Sequence, residues 1–168
     1  KDGEILNADI NASAAIAGTK ISPNFGSQDL TTTGSLGGKN LNLTHTIPSI
    51  SLTDSDGDDD FQIKVDGGLF KLIDATNTSD RLVIDSSGNI GLGVSNPSSF
   101  NADGRNLIVG TGSGGQGISI YSANNNYGNI YFADGTSDGS YNAGGILYNH
   151  SSNFMRFDTA AAERMRID

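Results

Sequence analysis

Apolar and polar residues along this chain fall into short runs with a period of two, clearest in "FQIKV" (Phe61–Val65) and read again in "RLVID" (Arg81–Asp85). That period places successive side chains on opposite faces of an extended backbone, so both runs predict β-strands. "NIYF" (Asn129–Phe132) and "GILY" (Gly145–Tyr148) are aromatic and β-branched and predict further strands. Turn-forming clusters separate them: "DSDGDDD", "DGG", "DSSGN", "ANNNYGN" and "DGTSDGS". Asp66-Gly67 and Ser87-Gly88-Asn89 are combinations that close hairpins. No window sustains a helical period. The weak exception lies in the N-terminal stretch, where Ile5, Ile10, Ile16 and Ile21 recur at spacings of 5, 6 and 5, which argues against a coiled coil. Its Ala, Ser and Gly content fits a shaft segment in which neighbouring chains run close together.

The pattern also repeats. "GKNLNL" (Gly38–Leu43) returns as "GRNLIV" (Gly104–Val109). "ISLTDSDGDDDFQIKVDG" (Ile50–Gly67) aligns without gaps on "ISIYSANNNYGNIYFADG" (Ile118–Gly135), and "FKLIDATNTSDRLVID" (Phe70–Asp85) aligns on "FMRFDTAAAERMRID" (Phe154–Asp168). Three matches in the same order predict a shaft segment over 1–35, a β-module over 36–102 and a second over 103–168. The second module is expected to be cut short at its C-terminus and to carry an insertion near 136–151, read as a surface loop.

Composition sharpens the expectation. Gly, Ser and Asn number 23, 20 and 17 of 168 residues, while hydrophobic residues make up only 35% and Trp is absent. Such a chain turns often and buries little apolar area as a monomer, so its stability is expected to come from other copies of itself. The formal charge of −9 argues against nucleic acid and against anionic membrane surfaces. No apolar run is long enough for a helical membrane span. With no cysteine, disulfide and thiolate chemistry are excluded.

Several segments resemble those of a known family. "DSSGNIGLG" (Asp85–Gly93), "ERMRID" (Glu163–Asp168) and "GNIYFADGTSDG" (Gly128–Gly139) resemble repeated segments of tailed-phage tail fibres. "ILNADINASAAIAGTKIS" (Ile5–Ser22) and "SQDLTTTGSL" (Ser27–Leu36) are similar to shaft repeats in fibres of marine phages, cyanophages in particular. The resemblance implies an all-β, elongated, fibrous homotrimer on the virion, extracellular, joined to other tail or baseplate proteins. It implies contact with a host surface glycan or outer-membrane component. In such fibres, segments like Glu163–Asp168 often precede an intramolecular chaperone that cleaves itself away after assembly.

Candidate site residues follow from residue chemistry. The five tyrosines, Tyr121, Tyr127, Tyr131, Tyr141 and Tyr148, all fall in the second module, with His150 beside them. Tyrosine pairs a flat apolar ring with a hydroxyl and loses little rotamer entropy on binding, which suits glycan or protein recognition. The competing reading makes them ordinary strand residues packed between chains. Asp54, Asp56 and Asp58 alternate as calcium ligands often do, yet the glycine and glutamate positions of an EF-hand loop are not met, so a solvated turn is the expected state. His45 and His150 are expected as exposed turn residues. "GTGSGGQG" (Gly110–Gly117) lacks the Lys-Ser/Thr of a phosphate loop and reads as a turn. No cofactor and no catalytic set is expected. The alternatives are a tailspike-like glycan depolymerase, for which Asp134, Asp138 and Asp158 are the nearest carboxylates, and a structural spacer that binds nothing itself.

Overall fold

The computed structural model describes residues 40–168, and the shaft segment expected over 1–35 lies outside them. The chain divides into two units, Lys1–Asn42 and Leu43–Asp168, and strands β1 to β10, defined below, belong to the second. The protein is all-β across the described residues, as the period-two runs predict.

Six strands form the first sheet in chain order: β1 (Ser49–Leu52), β2 (Phe61–Asp66), β3 (Leu69–Asp74), β4 (Ser79–Ile84), β5 (Ile90–Leu92) and β6 (Leu107–Val109). All neighbours are antiparallel except β5 and β6, which run parallel after the 93–106 connection. The module boundary expected at 102–103 therefore falls inside this sheet, because Leu107 to Val109 pair with Ile90 to Leu92.

Paired residues share a face, so the register assigns every side chain. Ile50, Ile63, Leu72, Leu82, Leu92 and Val109 stand in one row, one from each strand. Val65, Phe70, Ile84, Ile90 and Leu107 form the next row on the same face. Nothing in the described residues covers this face fully, and Val65, Phe70, Leu92 and Leu107 are 39–53% exposed. On the opposite face Val83 is completely buried, as is Pro97 of the 93–106 connection. The same connection lies tightly over Gly91, where an added Cβ would collide with the Val94 carbonyl oxygen. Among the described residues the sheet thus has one covered face and one left bare.

The turn after β4 explains the "DSSGN" string. The Asp85 carboxylate accepts the backbone N–H groups of Ser87 and Asn89, each at 2.9 Å, and the Asn89 side-chain amide at 2.7 Å. Gly88 sits at φ +83°, a conformation that side chains disfavour.

The second sheet has the order β10-β9-β8-β7, built from β7 (Tyr127–Phe132), β8 (Gly144–Asn149), β9 (Phe154–Thr159) and β10 (Ala162–Ile167), all antiparallel. Within the stretch 136–151, expected as an insertion, 136–143 is a connection and the strand expected at "GILY" forms as β8. That stretch carries β8, a strand placed between β7 and β9. Gly144 and Gly145 permit this, because the Phe132 and Tyr131 side chains of β7 lie where their Cβ atoms would come close. Ile118–Tyr121, matched in sequence to β1, forms no strand. The hairpins β3–β4 and β9–β10, also matched in sequence, do share a detail: each bulges at one arginine, Arg81 in the first and Arg164 in the second.

Asp74 closes the β3–β4 hairpin. It is 1% exposed, pairs with the Arg81 guanidinium, and accepts the Asn77 backbone N–H at 2.9 Å. The Arg81 hydrogen bond, and then that from Asn77, hold its carboxyl below the ordinary 3.8. Asn89 does the same for Asp85. A depressed carboxyl stabilises the fold above its unfolded-state value, and that contribution disappears as pH falls through the folded-state value. Thermal stability is accordingly expected to begin falling below pH 3.8 from these two groups, and Asp74→Asn should flatten that fall. Melting curves by circular dichroism from about pH 2 to pH 7 check it; equal acid slopes in both proteins would refute the role given to Asp74.

Candidate functional site

The second sheet has two chemically different faces. β7 places Gly128, Ile130 and Phe132 on one side, and the register adds Tyr148 and Ile146 from β8, Met155 and Phe157 from β9, and Met165 and Ile167 from β10. Ile118 and Ile120 fold against this side, leaving an apolar groove of about 280 Å³ that also reaches His150. Tyr148 and His150 meet edge to face there, with centroids 4.9 Å apart, and the Tyr148 hydroxyl donates to Asn153 Oδ1 at 3.3 Å. His150 is a turn residue as expected, but it is half-buried in a groove and not exposed.

The opposite side carries Tyr127 and Tyr131 from β7, Leu147 from β8, and Phe154, Arg156 and Asp158 from β9. Glu163 and Arg166 of β10 join that side. Tyr127 packs edge-on to Phe154 at 6.4 Å, and the Arg156 guanidinium lies 5.8 Å from the Tyr127 ring centre. Arg166 stacks over Phe154 at 4.2 Å. Arg156 pairs with Asp158 at 2.7 Å, and Arg166 pairs with Glu163 at 2.9 Å. Aromatic rings interleaved with fixed charges can stack on a sugar face and hydrogen-bond its hydroxyls.

The six candidate residues therefore do not make one patch. Tyr127 and Tyr131 share the polar side, Tyr148 and His150 line the groove behind it, Tyr121 stands fully exposed in the stretch before β7, and Tyr141 lies in the β7–β8 connection. Counting tyrosines pointed to this sheet and its flanks but not to Arg156, Glu163 and Arg166, which lie among Tyr127, Tyr131 and Phe154. For Arg156 and Asp158 the signal was present in "FMRFD", where the charges alternate, but Glu163 and Arg166 differ in parity and reach the same side only through the bulge at Arg164.

The Arg166 hydrogen bond lowers the Glu163 pKa from 4.5, keeping it ionised, which is the reverse of what a general acid in glycan cleavage needs. Asp158, the one of the three depolymerase candidates that lies on this sheet's strands, is buried and tied to Arg156.

Asp54, Asp56 and Asp58 bring carboxylate oxygens within 4.8 Å of one another in the exposed β1–β2 connection. Their geometry already has a role in the turn: Asp54 Oδ1 accepts the Asp56 N–H at 3.2 Å, and Asp60 Oδ1 accepts the Asp54 N–H at 2.8 Å. In the glycine run, the Gln116 side chain fixes the turn, accepting the Thr111 N–H at 3.1 Å and donating to the Ser113 carbonyl at 2.6 Å. His45 is exposed and accepts the Ile47 N–H at 3.2 Å.

No protein-family model matches this chain, and no curated protein matches it.

Proposed function

We propose that this chain is a structural and adhesive fibre module of the tailed-phage tail-fibre kind, assembled as a homotrimer and displayed on the virion. One observation carries the reading: among the described residues Val83, Leu147 and Phe154 are the buried hydrophobic side chains, while each sheet keeps an apolar face open. A chain that buries so little gains most of its burial by packing against further copies. The resemblance of Asp85–Gly93 and Glu163–Asp168 to fibre repeats supplies the biological setting. Tyr127, Tyr131 and Arg156 are the residues assigned to contact with a host glycan or outer-membrane component. Threefold display raises weak contacts by avidity wherever receptor sites lie within reach.

Light scattering on a sizing column, at two concentrations, tests the assembly. A mass three times 17.4 kDa at both supports it; 17.4 kDa at both overturns it. Adsorption of labelled protein to bacteria then separates adhesion from spacing. Adhesion predicts reduced adsorption after Tyr127→Ala with Tyr131→Ala. Absence of adsorption by the parent trimer across a host panel would favour the spacer.

A further inference from the structure

We infer that the outer edge of β10 is a docking site for one more strand, and that the strand it takes has the pattern of β5. β10 ends the second sheet, its six residues are all exposed, and among the described residues no strand pairs with its outer edge. The first sheet holds the counterpart of this edge, and there it is filled. The hairpins β3–β4 and β9–β10 match in sequence and bulge at equivalent arginines, so Arg81 to Asp85 correspond one for one to Arg164 to Asp168. On β4 the edge facing away from β3 carries β5, antiparallel, with Leu82 opposite Leu92, Val83 opposite Gly91 and Ile84 opposite Ile90.

The backbone of β4 gives the bonding pattern. The Arg81 carbonyl accepts the Gly93 N–H at 3.0 Å, and the Asp85 N–H donates to the Asn89 carbonyl at 3.0 Å. Bonding groups alternate along an antiparallel pair, so Arg81, Val83 and Asp85 turn theirs toward β5. The shared bulge gives the same outward phase to Arg164, Arg166 and Asp168. The bulge itself is no barrier to pairing, because β4 carries it and is paired on both edges. β10 also lacks the proline that commonly blunts an edge strand.

Side chains select the occupant. In the β5 register an incoming Leu stands opposite Met165 and an incoming Ile opposite Ile167, which are 50% and 56% exposed. A Gly stands opposite Arg166. It adds no side chain on the side where Arg166 stacks over Phe154 at 4.2 Å and holds Glu163 at 2.9 Å. Asn-Ile-Gly-Leu-Gly, as in Asn89–Gly93, meets all three requirements. The β5 of another folded copy cannot supply it, being held by β4 and β6. The occupant is therefore a partner segment of this pattern that is not already part of a sheet, added by main-chain pairing. Such addition links one repeat unit to another and does not depend on trimer assembly.

The probe is a fluorescein-labelled peptide with the sequence of Asp85–Val94, added to the full chain. Its anisotropy is expected to rise, and amide exchange followed by mass spectrometry is expected to slow at Arg164–Asp168. N-methylation of the peptide glycine equivalent to Gly91 removes the N–H aimed at the Arg166 carbonyl and should weaken binding about tenfold. In a second protein the sequence of Ser86–Val94 is fused after Asp168, which raises the effective concentration of the strand, and the same amides should slow. If the free peptide gives no signal, the fusion decides, and unslowed exchange at 164–168 there overturns the inference. Protection confined to other segments overturns it, as does equal binding by the methylated peptide. Exchange at 164–168 that is already slow without peptide, and slows further as protein concentration rises, places another copy on this edge and overturns it too. A parent that is monomeric by light scattering yet takes the peptide overturns the trimer and upholds this site; a trimer that refuses both strands does the reverse.

Discussion

Phe154→Ala is expected to destabilise the protein by about 3–5 kcal/mol, the largest loss of any single side-chain truncation in the second sheet. Phe154 is 8% exposed and one of the few apolar side chains with core burial, so removing its ring leaves a cavity as well as losing burial. It also underlies a chain of contacts on the charged side of the second sheet. Tyr127 packs on its edge, Arg166 on its face, and Arg166 in turn holds Glu163. Loss of the ring frees both neighbours at once. Urea denaturation followed by circular dichroism measures the effect, with Phe70→Ala as the comparison. Phe70 aligns with Phe154 in sequence but is 41% exposed on the bare face, so in a protein held monomeric its truncation should cost much less. Equal losses at the two positions in the monomer would contradict the burial described.

Gly91→Ala is the second large effect, expected at roughly 1–3 kcal/mol for one methyl group. The new Cβ meets the backbone carbonyl of Val94, which cannot rotate aside as a side chain can. The 93–106 connection must lift, and Val83 beneath it is then exposed. Gly145→Ala provides the contrast. Its nearest obstacle is the Leu147 Cδ1 atom at 2.9 Å, the end of a side chain that has other rotamers. A smaller loss at Gly145 than at Gly91, in the same denaturation experiment, is the expected order. The reverse order would show that the connection is not a fixed lid on that face.

Much of the strand content was legible because alternation survives where one face is bare. "FQIKV" keeps it because Phe61, Ile63 and Val65 occupy the open side of β2 while Gln62 and Lys64 occupy the other. In "RLVID" the apolar residue out of phase is Val83, the one covered by the connection. The hairpin at Asp66-Gly67 was announced by its glycines. The β9–β10 turn was not, because it is closed by Ala160 and Ala161, at φ +52° and +55°, which no turn preference marks. The strand role of β8 was hidden for another reason. "GILY" predicted a strand locally, but an alignment of repeats treats unmatched residues as a loop, and only pairing with both β7 and β9 gives them a central place. For the candidate site, the tyrosines were visible in sequence, but their division between two sides depends on register, which a one-residue slip would reverse.

Each strand in both sheets hydrogen-bonds only to strands adjacent to it in sequence, the parallel β5–β6 pair included. Pairings this local close with little loop entropy, so each sheet can zip up quickly, one chain at a time. The bare faces come into existence at that moment, before any neighbour has arrived. In the proposed homotrimer the slow step of maturation is an encounter between finished sheets, whose rate rises with concentration, and the interval before it is when the chain is most prone to misassociate.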